Sequence, residues 1–221
     1  MSRVLIVAEH LNGQLNQSTA KCVRFASLLK ADAIDVVVLS DDPAAVAGEA
    51  AGIAGVTRVR TIANAANAHA LAAVYAPQIL EIAGDYTHIL GPSTTFGKDL
   101  MPRIAAKLGV SQVSDAMAVE DAQTFKRPIY AGNAIVTVKA PAGKPVVATV
   151  RTASFAAAAM GAGPATVEAA SVSASLPTHT RFVGLAQGGG DRPDLQTARI
   201  VVSGGRAVGS ADGFKVIYEL A

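Results

Sequence analysis

Tryptophan is absent from this chain of 221 residues, and six Phe and four Tyr are its only other large aromatics. So thin a supply argues against stacking platforms for bases or sugars. Lys and Arg number 19 against 17 Asp and Glu, a formal net charge of +2, and they are scattered rather than gathered into a run. That excludes the basic stripe of a nucleic-acid-binding protein. A single cysteine, Cys22, leaves no disulfide within the chain and fits a reducing compartment. Its helical neighbours make it a buried thiol. No stretch reaches the 18 apolar residues of a membrane span. Met1-Ser2-Arg3 leads straight into an apolar strand, with no secretory or transit segment. The reading is a cytoplasmic protein with no membrane insertion. The four histidines (His10, His69, His88, His179) show no metal-ligand spacing. No Ser/His/Asp arrangement emerges either, so neither a metal site nor a catalytic residue is assigned. His88 reads as a core residue and His10 as a solvent-exposed loop residue.

Apolar residues make up 51% of the chain, enough for one large α/β domain and the start of another. The stretch from Tyr86 to Val119 organises the first. Thr87 to Leu90 is a short apolar run that stops at Gly91-Pro92. The polar loop Ser93-Thr94-Thr95 follows, then a helix pattern with Phe96, Leu100, Ile104 and Leu108 on one side, closing at Gly109. Strand, tight loop, helix and strand make a βαβ unit, whose loop lies where open α/β sheets bind ligands. Gly91 to Asp99 is not a phosphate-binding loop. Five residues separate Gly91 from Gly97, and Asp99 replaces the metal-holding Ser or Thr. Ser93, Thr94 and Thr95 are expected to cap the helix.

Upstream, Arg3 to Ala8 is an unbroken apolar strand, as burial on both faces requires. Glu9-His10 follows it. Ser18-Thr19 is placed to cap a helix through Leu29, Ile34 to Leu39 is a second buried strand, and Asp41-Asp42-Pro43 opens a helix to about Ile53. Val56 to Ile62 alternates like a more exposed strand, and Asn67 to Ala83 is a helix. Alternating β and α predicts a parallel sheet covered on both faces. The pattern then changes. Phe125 to Tyr130, Ala134 to Ala140 and Val146 to Arg151 are strands without helices between them. The turn Ala142-Gly143-Lys144 predicts that Ile135–Val138 and Val146–Val150 pair as a hairpin. Glu120-Asp121 is a solvated acidic pair, and Arg127 and Arg151 are placed to anchor loops or a partner. Val167 to Leu176 reads as an edge strand and Thr178 to Ala186 as another strand.

Residues 187–197, with Gly188-Gly189-Gly190, form the clearest linker. It separates an N-terminal α/β domain, 1–186, from a shorter piece, 198–221. There, Ala198 to Val202 is a strand, Ser203 to Gly209 a Gly-rich turn, and Ser210-Ala211-Asp212 the cap of a last helix. Gly204 to Gly209 is no nicotinamide fingerprint, because Arg206 stands at the second glycine position. The fold class is therefore α/β: a three-layer, Rossmann-like parallel sheet with an antiparallel hairpin extension, then an incomplete second βαβ unit. Ending on Leu220-Ala221 without a cap reads as a cut. Ile200, Val202, Phe214 and Ile217 are expected to be incompletely covered.

Val201-Val202-Ser203-Gly204-Gly205-Arg206 resembles the opening of the flavin-binding domain in the α chain of electron-transfer flavoproteins. Leu5 to His10, Gly91 to Asp99, Arg127 to Ala134 and Val150 to Phe155 match the same family in order. The resemblance implies an electron-carrier subunit rather than an enzyme. It pairs with a β chain, takes electrons from acyl-CoA or other dehydrogenases, and passes them to a quinone oxidoreductase. It implies FAD, held mainly by a second domain whose later flavin-binding segments would lie beyond Ala221. Arg206 is the one residue it marks as a flavin contact, since a fixed cation suits a phosphate or an anionic reduced ring. A fragment ending here is expected not to retain FAD and to act mainly as scaffold and β-chain docking surface. Two alternatives come from the residues alone: a nucleotide-binding α/β module using Glu9-His10 and Ser93-Thr94-Thr95, and a cofactor-free protein-interaction domain.

Overall fold

Valine and isoleucine fill the strands, and alanine fills the helices that lie on them. The computed structural model describes residues 2–161, 164–185, 195, 198 and 200–221. In chain order it contains β1 (Arg3–Val7), β2 (His10–Leu11), β3 (Gln14–Leu15), α1 (Gln17–Leu28), β4 (Ala33–Ser40), α2 (Ala44–Ala51) and β5 (Arg58–Ala63). A short 3-10 turn, Ala65–Ala68, leads to α3 (Ala72–Ala83), β6 (His88–Pro92), α4 (Thr95–Leu108) and β7 (Gln112–Ala116). Then come β8 (Ala118–Val119), β9 (Thr124–Ile129), β10 (Ala134–Lys139), β11 (Val146–Val150), β12 (Thr166–Ala169) and α5 (Lys215–Leu220). The chain falls into two compact units, Met1–Phe182 and Val183–Ala221. Among the described residues no helix is long and apolar enough to cross a membrane.

The first unit is built on a seven-stranded sheet in the order β12-β5-β4-β1-β6-β11-β7, parallel at every pairing. Successive residues of β1 feed opposite faces, as strand geometry demands. Val4 and Ile6 pack with Phe25, Val23 and Ala47 of α1 and α2. Leu5 and Val7 pack with Tyr75, Ile79, Leu100 and Ile104 of α3 and α4. A second, three-stranded antiparallel sheet, β10-β9-β8, is tied to the α1 face by Phe125, whose ring lies 6.1 Å from that of Phe25. Cys22 is fully buried, and burial pushes its thiol up, far from the reactive range.

Three expected strand arrangements fail here, and one helix boundary shifts. Val146–Val150 does not pair with Ile135–Val138. Strand β11 enters the central sheet between β6 and β7, and β10 pairs with β9 instead. Burial decides it: all five residues of β11 are buried, whereas β10 alternates half-buried and exposed. An unbroken apolar strand belongs in a parallel sheet covered on both faces. The second failure is at Thr178 to Ala186, whose described residues form no strand. Phe182 instead stacks on His69, ring centroids 3.5 Å apart. The third lies in the second unit, where the described residues of 198–202 form no strand. A lone strand leaves its backbone groups without partners, and Ile200 is 70% exposed while Val202, Phe214 and Ile217 are half-buried. The proposed linker, 187–197, lies outside the described residues except for Leu195. The helix placed at Asn67 starts later, at Ala72, because Asn67 is occupied otherwise. Its amide exchanges hydrogen bonds with Gln78 (3.1 and 2.7 Å), and Tyr75 Oη donates to its carbonyl.

One charged hub lies near the amino ends of the strands. Asp35, on β4, is 1% exposed and accepts from Arg58 (2.6 Å), Arg3 (3.1 Å) and the Tyr86 hydroxyl (2.7 Å). Arg58 also bridges to Glu168 on the edge strand β12 (3.2 Å). One carboxyl thus joins β1, β4, β5 and the lead into β6. Asp35→Ala strands two guanidinium groups that are themselves part-exposed, so the cost belongs at the low end for a broken buried pair, about 3 kcal/mol. Urea unfolding of the variant measures it.

His88, in β6, is buried, and its Nε2 donates to the Ala122 carbonyl at 2.6 Å. Burial lowers its pKa from the ordinary 6.5. The unfolded chain therefore binds more protons in the window between the lowered value and 6.5. This contribution to stability is whole above pH 6.5 and is lost as pH falls towards the lowered value. His88→Gln removes that part of the acid slope, which denaturation midpoints between pH 7 and pH 5 will record.

Candidate functional site

The chain runs from β1 to β4 on one side of the sheet and later returns to β6 on the other, so the order reverses between β1 and β6. Ligand crevices of open α/β sheets lie at such a switch point, beyond the carboxyl ends of the strands. The loops that meet there carry Glu9-His10 and Ser93-Thr94, both marked in the sequence. They do not stand free.

Glu9 is held by the start of α1. The Ser18 hydroxyl donates to its carboxylate (2.6 Å), and its backbone N–H donates to Thr19 Oγ1 (3.1 Å). Ser18 and Thr19 therefore do not cap α1. Asn16 does, accepting from Ser18 N at 2.9 Å. His10 is not the free loop histidine expected. It is half-buried, and its Nε2 donates to the Leu39 carbonyl at 2.8 Å.

The loop after β6 shows what its glycine is for. A Cβ at Gly97 would strike the Pro92 carbonyl oxygen. The first turn of α4 is thus pressed onto the end of β6, as in tight helix–strand turns. Thr94 occupies the N-cap position but makes no side-chain cap bond. Ser93 Oγ and Thr94 Oγ1 are buried without a hydrogen-bond partner among the described residues. The expected caps are not formed, because close packing encloses the hydroxyls instead of turning them to the helix N–H groups.

Next to this loop, Ser93 N donates to the Val150 carbonyl at 2.8 Å, and Arg151 follows. Arg151 Nη1 donates to Asp115 Oδ2 at 2.7 Å, and Asp115 takes a left-handed conformation, φ 57°. Thr149 Oγ1 accepts from the Asp115 N–H at 2.8 Å, and Arg127 Nε donates to the Ser114 carbonyl at 2.7 Å. Both arginines were expected to anchor loops or a partner; their bonds go instead to Ser114 and Asp115, inside strand β7. Asp115 was missed, and its only sequence signal is an acid before Ala116 in a strand-forming run. The rim therefore offers an acidic side chain at Glu9 and a guanidinium already paired, a poor cradle for phosphate. No group of three or more His, Cys, Asp or Glu among the described residues could hold a metal.

The second unit holds Arg206 at the start of a 3-10 turn, Arg206–Val208, after the glycines. Its neighbours pack inward: Gly204 sits against Val208, Phe214 and Ile217. Arg206 itself is exposed, and its guanidinium forms no ion pair among the described residues.

The family model of the electron transfer flavoprotein domain matches residues 4–175. The electron transfer flavoprotein subunit alpha of Pseudomonas aeruginosa is 45% identical over 218 residues, covering 99% of this chain and 70% of that protein. The chain belongs to the electron transfer flavoprotein family. The subunit alpha of Paracoccus denitrificans is also 45% identical, over 219 residues, with 99% of this chain and 70% of that one aligned. The mitochondrial subunit alpha of Dictyostelium discoideum is 38% identical over 234 residues, with 100% and 66% aligned. The chain is thus an electron transfer flavoprotein subunit of the alpha type. The match covers the parallel sheet from the second residue of β1 onward and the antiparallel extension.

The unbonded Thr94 hydroxyl makes a direct forecast. A capping threonine loses ~1 kcal/mol when its oxygen is removed. Thr94→Val, which deletes an unsatisfied buried group, is expected to leave the unfolding free energy unchanged or higher. A loss of capping size in urea unfolding would restore the cap.

Proposed function

We propose that this chain serves as the α subunit of a cytoplasmic electron-transfer flavoprotein. It accepts electrons from dehydrogenases, such as acyl-CoA dehydrogenases, and passes them to a quinone oxidoreductase. It works as an electron carrier and not as an enzyme. Residues 1–186 form its scaffold and its docking surface for a β chain, and 198–221 open the flavin-binding domain, with 187–197 as the linker. The observation that carries most of this reading is the alignment with α subunits along 99% of the chain. The cytoplasmic assignment fits a lone, buried cysteine.

FAD, when bound, supplies the reversible electron chemistry that the side chains here lack. Arg206 fits one part of it. A guanidinium that is always charged, exposed and free of a carboxylate among the described residues can hold an anionic group of the cofactor. Gly205 before it has open space where a Cβ would stand. The work of the first unit is positional: its sheet presents rim loops in which Glu9, His10 and Arg151 are already bonded within the fold.

Mixing the chain with a β chain and FAD, then desalting, tests the reading. The two chains are expected to co-elute; where flavin bands survive desalting, Arg206→Ala is expected to lower them at least tenfold. Separate elution would overturn the subunit assignment. Flavin bands unchanged by Arg206→Ala would remove Arg206 from the cofactor site.

A further inference from the structure

The amino ends of β6 and β11 border a cavity of about 730 Å³. That falls within the ~300–1,000 Å³ of small-molecule sites. It lies at the opposite rim from the β1/β6 crevice, walled by the lead into β6, the loop between β8 and β9, and the β10–β11 connection.

Two kinds of surface meet in it. Tyr86 and Val146 are buried at 5% and 3% exposure and give an apolar wall. His88 adds a ring whose nitrogens are both engaged, Nε2 with the Ala122 carbonyl and Nδ1 with the Thr87 hydroxyl at 2.9 Å. Burial lowers the pKa of that ring, which favours its uncharged form. The charged wall groups are Lys139, Lys144 and Asp121. Asp121 is turned to its own loop. Its Oδ1 accepts from Gln123 N at 2.7 Å, and this bond, the Thr124 hydroxyl and, last, the attraction of Lys139 hold its carboxyl below the usual range. Neither lysine forms an ion pair among the described residues, and Lys144 Nζ reaches only the Gly109 carbonyl at 3.5 Å. Two ammonium groups against one engaged carboxylate leave the wall net positive.

We infer that this cavity binds a small amphiphilic anion, with a ring-sized apolar body against Tyr86 and Val146 and an anionic oxygen group held between Lys139 and Lys144. The amphiphile follows from the magnitudes. Exposed ammonium groups hold a bare anion weakly in water, and apolar contact alone leaves the lysines unused. The two together supply both attraction and orientation. The ligand has no part in the electron-carrier assignment.

Calorimetric titration of the whole chain with phenyl phosphate, benzoate, inorganic phosphate and benzyl alcohol tests this. Phenyl phosphate or benzoate is expected to bind one per chain, at least tenfold more tightly than inorganic phosphate or benzyl alcohol. The tighter of the two tells a phosphate headgroup from a carboxylate. The K139A/K144A variant is expected to bind that probe at least tenfold more weakly while keeping its thermal unfolding midpoint. No saturable binding by either aromatic anion, or equal binding by the variant, would overturn the inference.

Discussion

Strand β1 is hydrogen-bonded to β4 on one side and β6 on the other. No parallel connection can reach either partner without carrying a helix across one face of the sheet. Both faces of β1 are therefore covered, and its side chains must be apolar on both. The order of β4, β5 and β6 follows from that, and β11 is inserted later between β6 and β7. Each new βα unit extends the sheet outwards from β1, first through β4 and β5, then through β6. The polar exception obeys the same constraint. Asp35 lies on β4 beside β1, where an ionised side chain is tolerated only if guanidinium and hydroxyl groups surround it. Its ion pairs tie together the strands that the hydrophobic layers cover.

The strands read best in the sequence are those with unbroken or nearly unbroken apolar runs. β1 follows from composition alone, and β4 and β6 follow from runs that are apolar apart from Asp35 and His88. Pairing was harder. A turn at Ala142-Gly143-Lys144 between two β-rich segments suggests a hairpin, but turn chemistry says only that the chain reverses. The pattern inside the segments carried the better information: Val146–Val150 is apolar throughout, whereas Ala134–Lys139 alternates. Two-sided burial outweighed proximity. Thr178 to Ala186 and Ala198 to Val202 fail for a related reason. A β-rich composition describes a residue's fit to a sheet and does not supply the neighbouring strand.

Site residues were readable to a different degree. Glu9, His10, Ser93 and Thr94 fall on the carboxyl rim, where topology put them, Arg151 follows the end of β11, and Arg127 lies in β9 of the antiparallel sheet. Their partners could not be read, because they come from distant segments: Leu39 for His10, Asp115 for Arg151, Ser114 for Arg127. Asp35 was overlooked although a lone acid inside Ala-Ile-Asp-Val-Val-Val-Leu is a visible signal. An acid in a strand of that kind requires a cation, and Arg3 and Arg58 stand at strand starts. The ordered family segments compensate for this limit, since they report whole-chain similarity without needing any pairing.

A parallel sheet separates its strand ends into two rims, and here the rims differ in how completely their charges are used. At the carboxyl rim Arg151 is paired and the Glu9 carboxylate accepts from Ser18, so little field remains for a ligand. The two unsatisfied hydroxyls there are enclosed rather than presented. At the amino rim Lys139 and Lys144 border a cavity, and in the second unit Arg206 is exposed. Attraction for an anion follows uncompensated charge, not strand topology alone. The crevice that topology favours is therefore the more structural of the two rims, and within the first unit the lysines unpaired among the described residues stand at the other.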